Sequence, residues 1–443
     1  MIYKLLFLLS LFSLSSLNAN YTLKQSKRVH SKIDKMPKKK VADMWKIPQN
    51  LSFYASQIKS ISTLKQNKID KKSNKKYFRP WYLKKLDIAK EDIGWEIRFI
   101  KKKPIYRANG KIISPRIYTK WIHNANYKRV DKRKYKAITI RRTNLKALPT
   151  STAFYRDPKK TGEGFPFDYN QNSALHINVP LYISHYSKDG RWVFVRASYA
   201  FGWISVSDMA VVNNIFKRKF QNGHYAITIK DDLRLYNKKN NSISLVKLGA
   251  IFPISKDKKH YFVAKRDAKG NAIPEIVSVD NQTIIAKKPL AFTAKNVAKV
   301  AKEFYGEPYG WGGGYQCRDC SATTRDFMGV FGIFLRRNSS KQALDGKKIN
   351  IKGLSKSAKK RKIIKKANPF ASLLYVPGHI VLYLGQYKGE PVIMHTYWGI
   401  RKNNGSKIVT GRTIITSTEP GKERKDVREK SKLIYTLKSI INF

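Results

Sequence analysis

Short runs that alternate apolar and polar residues dominate the middle of the chain. From Ala137 the segments AITIRRTNLKALP, WVFVRA and FGWISVSDMAVV are separated by Pro, Gly, Asn and Asp. A period of two sends successive side chains to opposite faces of a strand, so this texture predicts a small all-β barrel over residues 136–215. The stretch TGEGFPFDYNQNS, Thr161 to Ser173, reads as a long loop inserted in that barrel, and such loops are common carriers of recognition. The runs HYAITIKDDLRLY, SLVKLGAIFPI, HYFVAKR and EIVSVD predict a second barrel over residues 216–288. The opening of this one, AITIKDDLRLY, echoes AITIRRTNLKALP, a short internal repeat that suggests two related barrels.

The period lengthens after Thr293. Val297, Val300, Ala301 and Phe304 fall on one helical face behind an N-capping threonine, and Phe327, Val330 and Phe331 repeat that spacing after Asp319. A glycine-rich turn, YGWGGG, separates the two helices. Beyond them come a basic connector, LSKSAKKRKIIKK, and the strand-like runs GHIVLYLGQY and PVIMHTYW. Helix, helix, then antiparallel strands is an α+β order, assigned to residues 289–443. Upstream, residues 20–135 begin as a lysine-rich arm that becomes ordered near Met44 to Ile58. From Tyr77 to Tyr135 the density of Trp, Tyr and Ile rises, as in a small packed accessory domain with Trp81, Trp95 and Trp121 as core or docking residues. The predicted fold class is multidomain α+β.

Residues 1–19, MIYKLLFLLSLFSLSSLNA, carry one lysine, an apolar core and small residues up to Ala19. This is the pattern of a secretory signal peptide, and no later apolar run is long enough to cross a bilayer. The chain reads as exported, to the periplasm or cell envelope. Lysine and arginine total 90 against 29 acidic residues, a net charge of +61. In an exported protein that charge favours retention on an anionic envelope surface. Nucleic acid is not an expected partner, because nothing in the chain resembles a base-reading module.

The only cysteines, Cys317 and Cys320, lie where the glycine turn meets the second helix. Asp319 as N-cap puts Cys320 in the first turn, where exposed amides and the helix dipole favour a thiolate. His379 and His395 are the only downstream histidines, each in a strand-like run. A cysteine opening a helix, with two histidines on following strands, is the arrangement of a papain-like thiol hydrolase, which needs no metal or cofactor. Export places the CRDC pair in an oxidising compartment, so Cys317 is a candidate redox partner whose disulfide with Cys320 would silence it. Tyr309 is a candidate for either packing or lining the cleft.

The segments YGWGG, RDCSATTRDF, FLRRNSSKQ, PGHIVLYLG and PVIMHTYWG resemble the NlpC/p60 family of cell-wall cysteine peptidases, over about Thr293 to Arg412. More loosely, the barrels resemble the bacterial SH3-like domains of one subgroup, and the region around FRPW resembles its accessory stabilising segment. The resemblance implies a papain-like catalytic domain with Cys320 as nucleophile, His379 as general base and His395 orienting it. It further implies a γ-D-glutamyl-L-diamino-acid endopeptidase acting on peptidoglycan stem peptides whose L-alanine amine is free. Asp319, Ser321 and Ser339 would then contact substrate. The first SH3-like domain would close the far end of the cleft through Tyr199, with Glu163 and Asp168 as further candidates to meet the ammonium. Two other readings stay open: a wall amidase or transpeptidase using the same dyad, and a non-catalytic wall-binding scaffold.

Overall fold

The computed structural model describes residues 41–443 apart from positions 60, 161 and 280; the signal peptide and the arm up to residue 40 lie outside the described residues. Between Lys136 and Val211 the alternating texture becomes seven strands: β1 (Lys136–Thr139), β2 (Thr143–Lys146), β3 (Gln171–Leu175), β4 (Pro180–Tyr186), β5 (Trp192–Ala197), β6 (Phe201–Ser205) and β7 (Met209–Val211). They form one antiparallel sheet ordered β3-β2-β6-β5-β4-β1-β7. The sheet curls around Leu145, Leu181, Ile183, Val193, Val195 and Ile204, the inward positions of the period-two pattern.

The second barrel contains β8 (Tyr225–Thr228), β9 (Leu233–Tyr236), β10 (Ser242–Val246), β11 (Ile251–Pro253), β12 (Tyr261–Arg266), β13 (Ala272–Val279) and β14 (Ile285–Lys287). Its strands divide into the sheets β10-β9-β13-β12 and β11-β8-β14, which pack over Leu233, Leu235, Phe252 and Val263.

The N-terminal helices brace the other units. Thr63–Phe78 is the longest of them. It buries a polar rather than an apolar stripe: Gln66 donates to the carbonyls of Leu290 (2.6 Å) and Phe331 (3.2 Å), Asp70 pairs with Lys288, and the Tyr77 hydroxyl donates to the Asn178 carbonyl. Trp81 is buried and its indole N–H donates to the Ala137 carbonyl at 2.7 Å. Ile100, Ile105 and Ile113 share a core with Leu148 and Phe154 of the long β2–β3 connection, and Trp121 packs on its edge.

The C-terminal unit carries the helices Ala294–Lys302 and Cys320–Val330 and an antiparallel sheet of β15 (Lys347–Asn350), β16 (Ser372–Val376), β17 (His379–Tyr387), β18 (Glu390–Arg401), β19 (Lys407–Ser417) and β20 (Ser439–Asn442), ordered β15-β20-β16-β17-β18-β19. Phe304, Phe327, Phe331, Leu382 and Met394 close the core between helices and sheet. The basic stretch read as a connector is a helix, Lys356–Lys366. It docks through Ile363 and through the ammonium of buried Lys359, which donates to the carbonyls of Ile434 and Tyr435. No helix among the described residues is long and apolar enough to cross a membrane.

Candidate active site

The turn before the cysteine helix depends on glycine at its start. Gly312 (φ +61°) and Gly313 (φ +73°) are left-handed, a region that strains L side chains. A Cβ on Gly312 would lie 2.2 Å from the carbonyl oxygen of Gln171 in β3. The first barrel therefore presses directly on the turn. Asp319 follows in extended conformation and caps the helix, its carboxylate accepting from the amides of Ala322 (2.9 Å) and Gly312 (3.0 Å).

Cys320 is the first helical residue and is partly exposed. The amides of Ile380 and Ser321 donate toward its sulfur, which favours the anion, but burial and the neighbouring Asp319 carboxylate outweigh them and push the thiol up to about 12. The helix terminus favours the thiolate but does not overcome desolvation here. Cys320 rests as a thiol and needs a base to become reactive.

The amide of Ile380 reaches the sulfur, and His379, which opens β17, is its neighbour in the chain. His379 Nε2 is 3.0 Å from His395 Nδ1, and His395 Nε2 is 3.1 Å from Thr416 Oγ1. The Thr416 hydroxyl donates to the Ser417 carbonyl at 2.8 Å. Having given its only proton there, Thr416 can only accept from His395. This arrangement favours the tautomer in which His395 carries its proton on Nε2 and leaves Nδ1 bare to accept from His379 Nε2–H. This leaves His379 Nδ1 as a free lone pair. Tyr397 stacks on His395 (ring centroids 4.6 Å) and leans on His379 (5.2 Å). Burial pulls His379 down to about 4, against the opposing pull of Asp319, and holds His395 well below the usual imidazole range, with His379 adding to the effect. Both rings are neutral near pH 7.

Asp319 and Ser321 are held from behind by buried Arg337. Its guanidinium donates to Asp319 (2.6 Å), to Ser321 Oγ (2.7 Å) and to Ser173 Oγ of β3 (2.9 Å). Its amide donates to the Tyr199 carbonyl at 3.2 Å. The Tyr199 ring lies under the Arg325 guanidinium, 4.3 Å from the ring centroid. Ser339 opens the short helix Ser339–Gln342, and Gln342 donates to the Ser321 carbonyl at 2.8 Å.

Tyr309 is buried in an aromatic cluster with Phe167 and Trp398, where the inserted loop meets the C-terminal unit. Asp168 needs correction as an ammonium partner. Its carboxylate is buried and already accepts from the amides of Phe154 (3.1 Å) and Asn170 (2.8 Å) and faces Lys146 (3.3 Å), so it braces the loop. Glu163 lines an open cavity of about 330 Å³ with Arg156, Lys160 and Tyr169, whose lining includes neither Cys320 nor His379. Cys317 is fully buried, its thiol donating to the Tyr315 carbonyl at 3.5 Å, and the two cysteines are not joined in this structure.

The reading of the sequence missed Arg337, Tyr397, Thr416 and Gln342. Tyr397 had a usable signal, standing two residues beyond His395 on the same face of β18.

Residues 306–408 match the NlpC/P60 family. Residues 153–205 match the SH3 domain of SH3b1 type, and residues 6–129 match the N-terminal NLPC_P60 stabilising domain. Comparison with curated proteins gave no match. Among solved structures, the chain is similar to an NlpC/P60 endopeptidase from Photobacterium damselae subsp. piscicida, with 23% identity, a TM-score of 0.78, and coverage of 89% of this chain and 97% of that one. It is also similar to an NlpC/P60 family protein from Bacillus cereus ATCC 10987, at 16% identity and a TM-score of 0.45, covering 70% of this chain and 99% of that one. The first of these likenesses shows a shared fold.

Proposed function

From a chain that carries an NlpC/P60 domain behind an SH3 domain and the stabilising domain of the same family, we propose an exported murein-peptide endopeptidase that cleaves the amide between γ-D-glutamate and diaminopimelate. The observation that carries the reading is the hydrogen-bonded row Thr416–His395–His379, which ends at the start of the strand whose Ile380 amide reaches the Cys320 sulfur. A γ-glutamyl amide is unactivated, so its hydrolysis requires a sulfur nucleophile, a proton for the leaving amine and stabilisation of the oxyanion. His379 Nδ1 takes the Cys320 proton as sulfur attacks the carbonyl carbon, and the imidazolium is held by His395 Nδ1. The same proton passes to the departing amine of diaminopimelate. The amide of Cys320 is one of the helix donors without a helical acceptor, and it faces the developing oxyanion. Water, deprotonated by His379, then releases the acyl group and restores the thiol.

Substrate with a free L-alanine amine fits a cleft closed at one end. The packing of Gln171, Phe167 and Tyr169 on Gly312, Trp398 and Trp311 supports that part of the reading. The test is product analysis of murein peptides by mass spectrometry under reducing conditions. Release of alanyl-D-glutamate, lost in Cys320→Ala and His379→Ala, is the expected outcome. Release of an intact stem peptide from its sugar would instead identify an amidase.

A further inference from the structure

The row that fixes the histidines does not end within the C-terminal unit. Ser417, whose carbonyl receives the Thr416 hydroxyl, closes β19 and donates both its amide (2.8 Å) and its hydroxyl (2.7 Å) to Asp43 Oδ2. Asp43 is 3% exposed and comes from 374 residues earlier in the chain. The N-terminal segment has other anchors on this sheet: Val41 packs with Ile400, Ile408 and Val427, the Ala42 amide donates to Glu423 (2.8 Å), and the Gln49 amide group reaches the Ile415 carbonyl (3.5 Å). Docking of the segment therefore does not depend on Asp43 alone, and the carboxylate has a narrower task at Ser417.

We propose that Asp43 is a positioning residue for the candidate catalytic histidines, acting through Ser417 and Thr416 to fix which nitrogen of each ring carries the proton. Two donors of Ser417 on one carboxylate oxygen pin the end of β19 and aim the Ser417 carbonyl. That carbonyl takes the Thr416 proton, so Thr416 offers only lone pairs to His395. Without Asp43 the Ser417 amide and hydroxyl would be buried donors lacking an acceptor, and the Ser417 carbonyl would lose the anchor that aims it at the Thr416 hydroxyl. Thr416 then becomes free to donate to His395 Nε2. This moves the His395 proton to Nδ1, where it opposes His379 Nε2–H, and the proton that displaces faces Cys320. A base becomes a donor.

The proposal rests on Cys320, His379 and His395 being the reacting set, so its test includes a readout that needs no substrate. Mature protein labelled with nitrogen-15 in histidine reports each ring's protonated nitrogen by NMR. Wild type is expected to show Nε2–H for both His379 and His395. Asp43→Ala and Thr416→Val are each expected to add an Nδ1–H population at His395. On murein peptide, each should lower kcat tenfold or more with KM little changed, and the double variant should fall no further than the worse single one. If Asp43→Ala does not fold, Asp43→Leu, of similar shape without an acceptor oxygen, carries the test with the same expected directions. An Asp43 variant that keeps the wild-type proton pattern and kcat, or a double variant whose losses multiply, overturns the proposal. Failure of the endopeptidase reading would look different: no peptide cleaved by any protein, with the tautomer results intact.

Discussion

At Cys320 two local fields oppose each other. The helix terminus and the amides of Ile380 and Ser321 favour the thiolate, while burial and Asp319 favour the thiol and prevail. In the proposed endopeptidase, neutral Cys320 and neutral His379 form the ground state, and activity follows the histidine. As pH falls through about 4, His379 becomes protonated and can no longer accept the thiol proton. kcat/KM is expected to stay level across the neutral range and to decline tenfold per unit only below that point. An acid limb centred on the ordinary histidine value would contradict the burial argument. His395→Ala removes the acceptor for His379 Nε2–H, and a loss in kcat of about 10²–10⁴-fold is expected. His395→Asn, whose amide oxygen can accept that proton, should recover part of the loss. Cys320, His379 and His395 were legible in the sequence because nucleophile and base are scarce residue types in marked surroundings. Thr416 and Arg337 were not, because a threonine or an arginine acquires its role only from the partner that folding brings to it.

At the level of elements, the glycine turn and the residue pair that follows it join three units. Gly312→Ala drives a methyl group into the Gln171 carbonyl at a left-handed position. A loss of about 2 kcal/mol is expected in urea unfolding, with reduced activity, since the turn also sets Asp319. Arg318 is nearly enclosed. It pairs with Asp231 of the second barrel (2.8 Å), Glu307 (3.0 Å) and Asp326 (2.7 Å), and Asp326 in turn meets His176 of the first barrel (3.4 Å). Arg318→Ala leaves buried Asp326 and half-buried Asp231 and Glu307 without their shared cation. Destabilisation of about 3–5 kcal/mol is the expected outcome by the same measurement. Strands and barrels were legible from their period. The helix Lys356–Lys366 was not, because its inner face is built partly on a lysine, so its charge masked its amphipathic pattern. The helix Thr63–Phe78 likewise hides behind polar inward residues.

Across the molecule, the net charge of +61 is unevenly answered. On Thr63–Phe78 the side chains of Lys65, Lys68, Lys71, Lys72, Lys75 and Lys76 are exposed, and the helix's one acid, Asp70, is turned inward to Lys288. Sedimentation with anionic sacculi or vesicles should be strong at low salt and lost near 1 M salt, where the Debye length is about 3 Å. Retention at high salt would point to a specific receptor instead. Order along the chain and the identity of the units were readable before folding, but the way the N-terminal segment reaches across to β19 was not, since no local pattern encodes a contact spanning the whole sequence. In the proposed function, a Cys320–His379–His395 endopeptidase works in a cleft closed by the first barrel. Its most direct test is digestion of L-Ala-γ-D-Glu-diaminopimelate and of its N-acetylated form by mature protein with reductant, read by mass spectrometry. The account predicts cleavage of the free-amine peptide alone, abolished in Cys320→Ala. Equal cleavage of both would contradict the closed cleft, and cleavage of neither would contradict the endopeptidase.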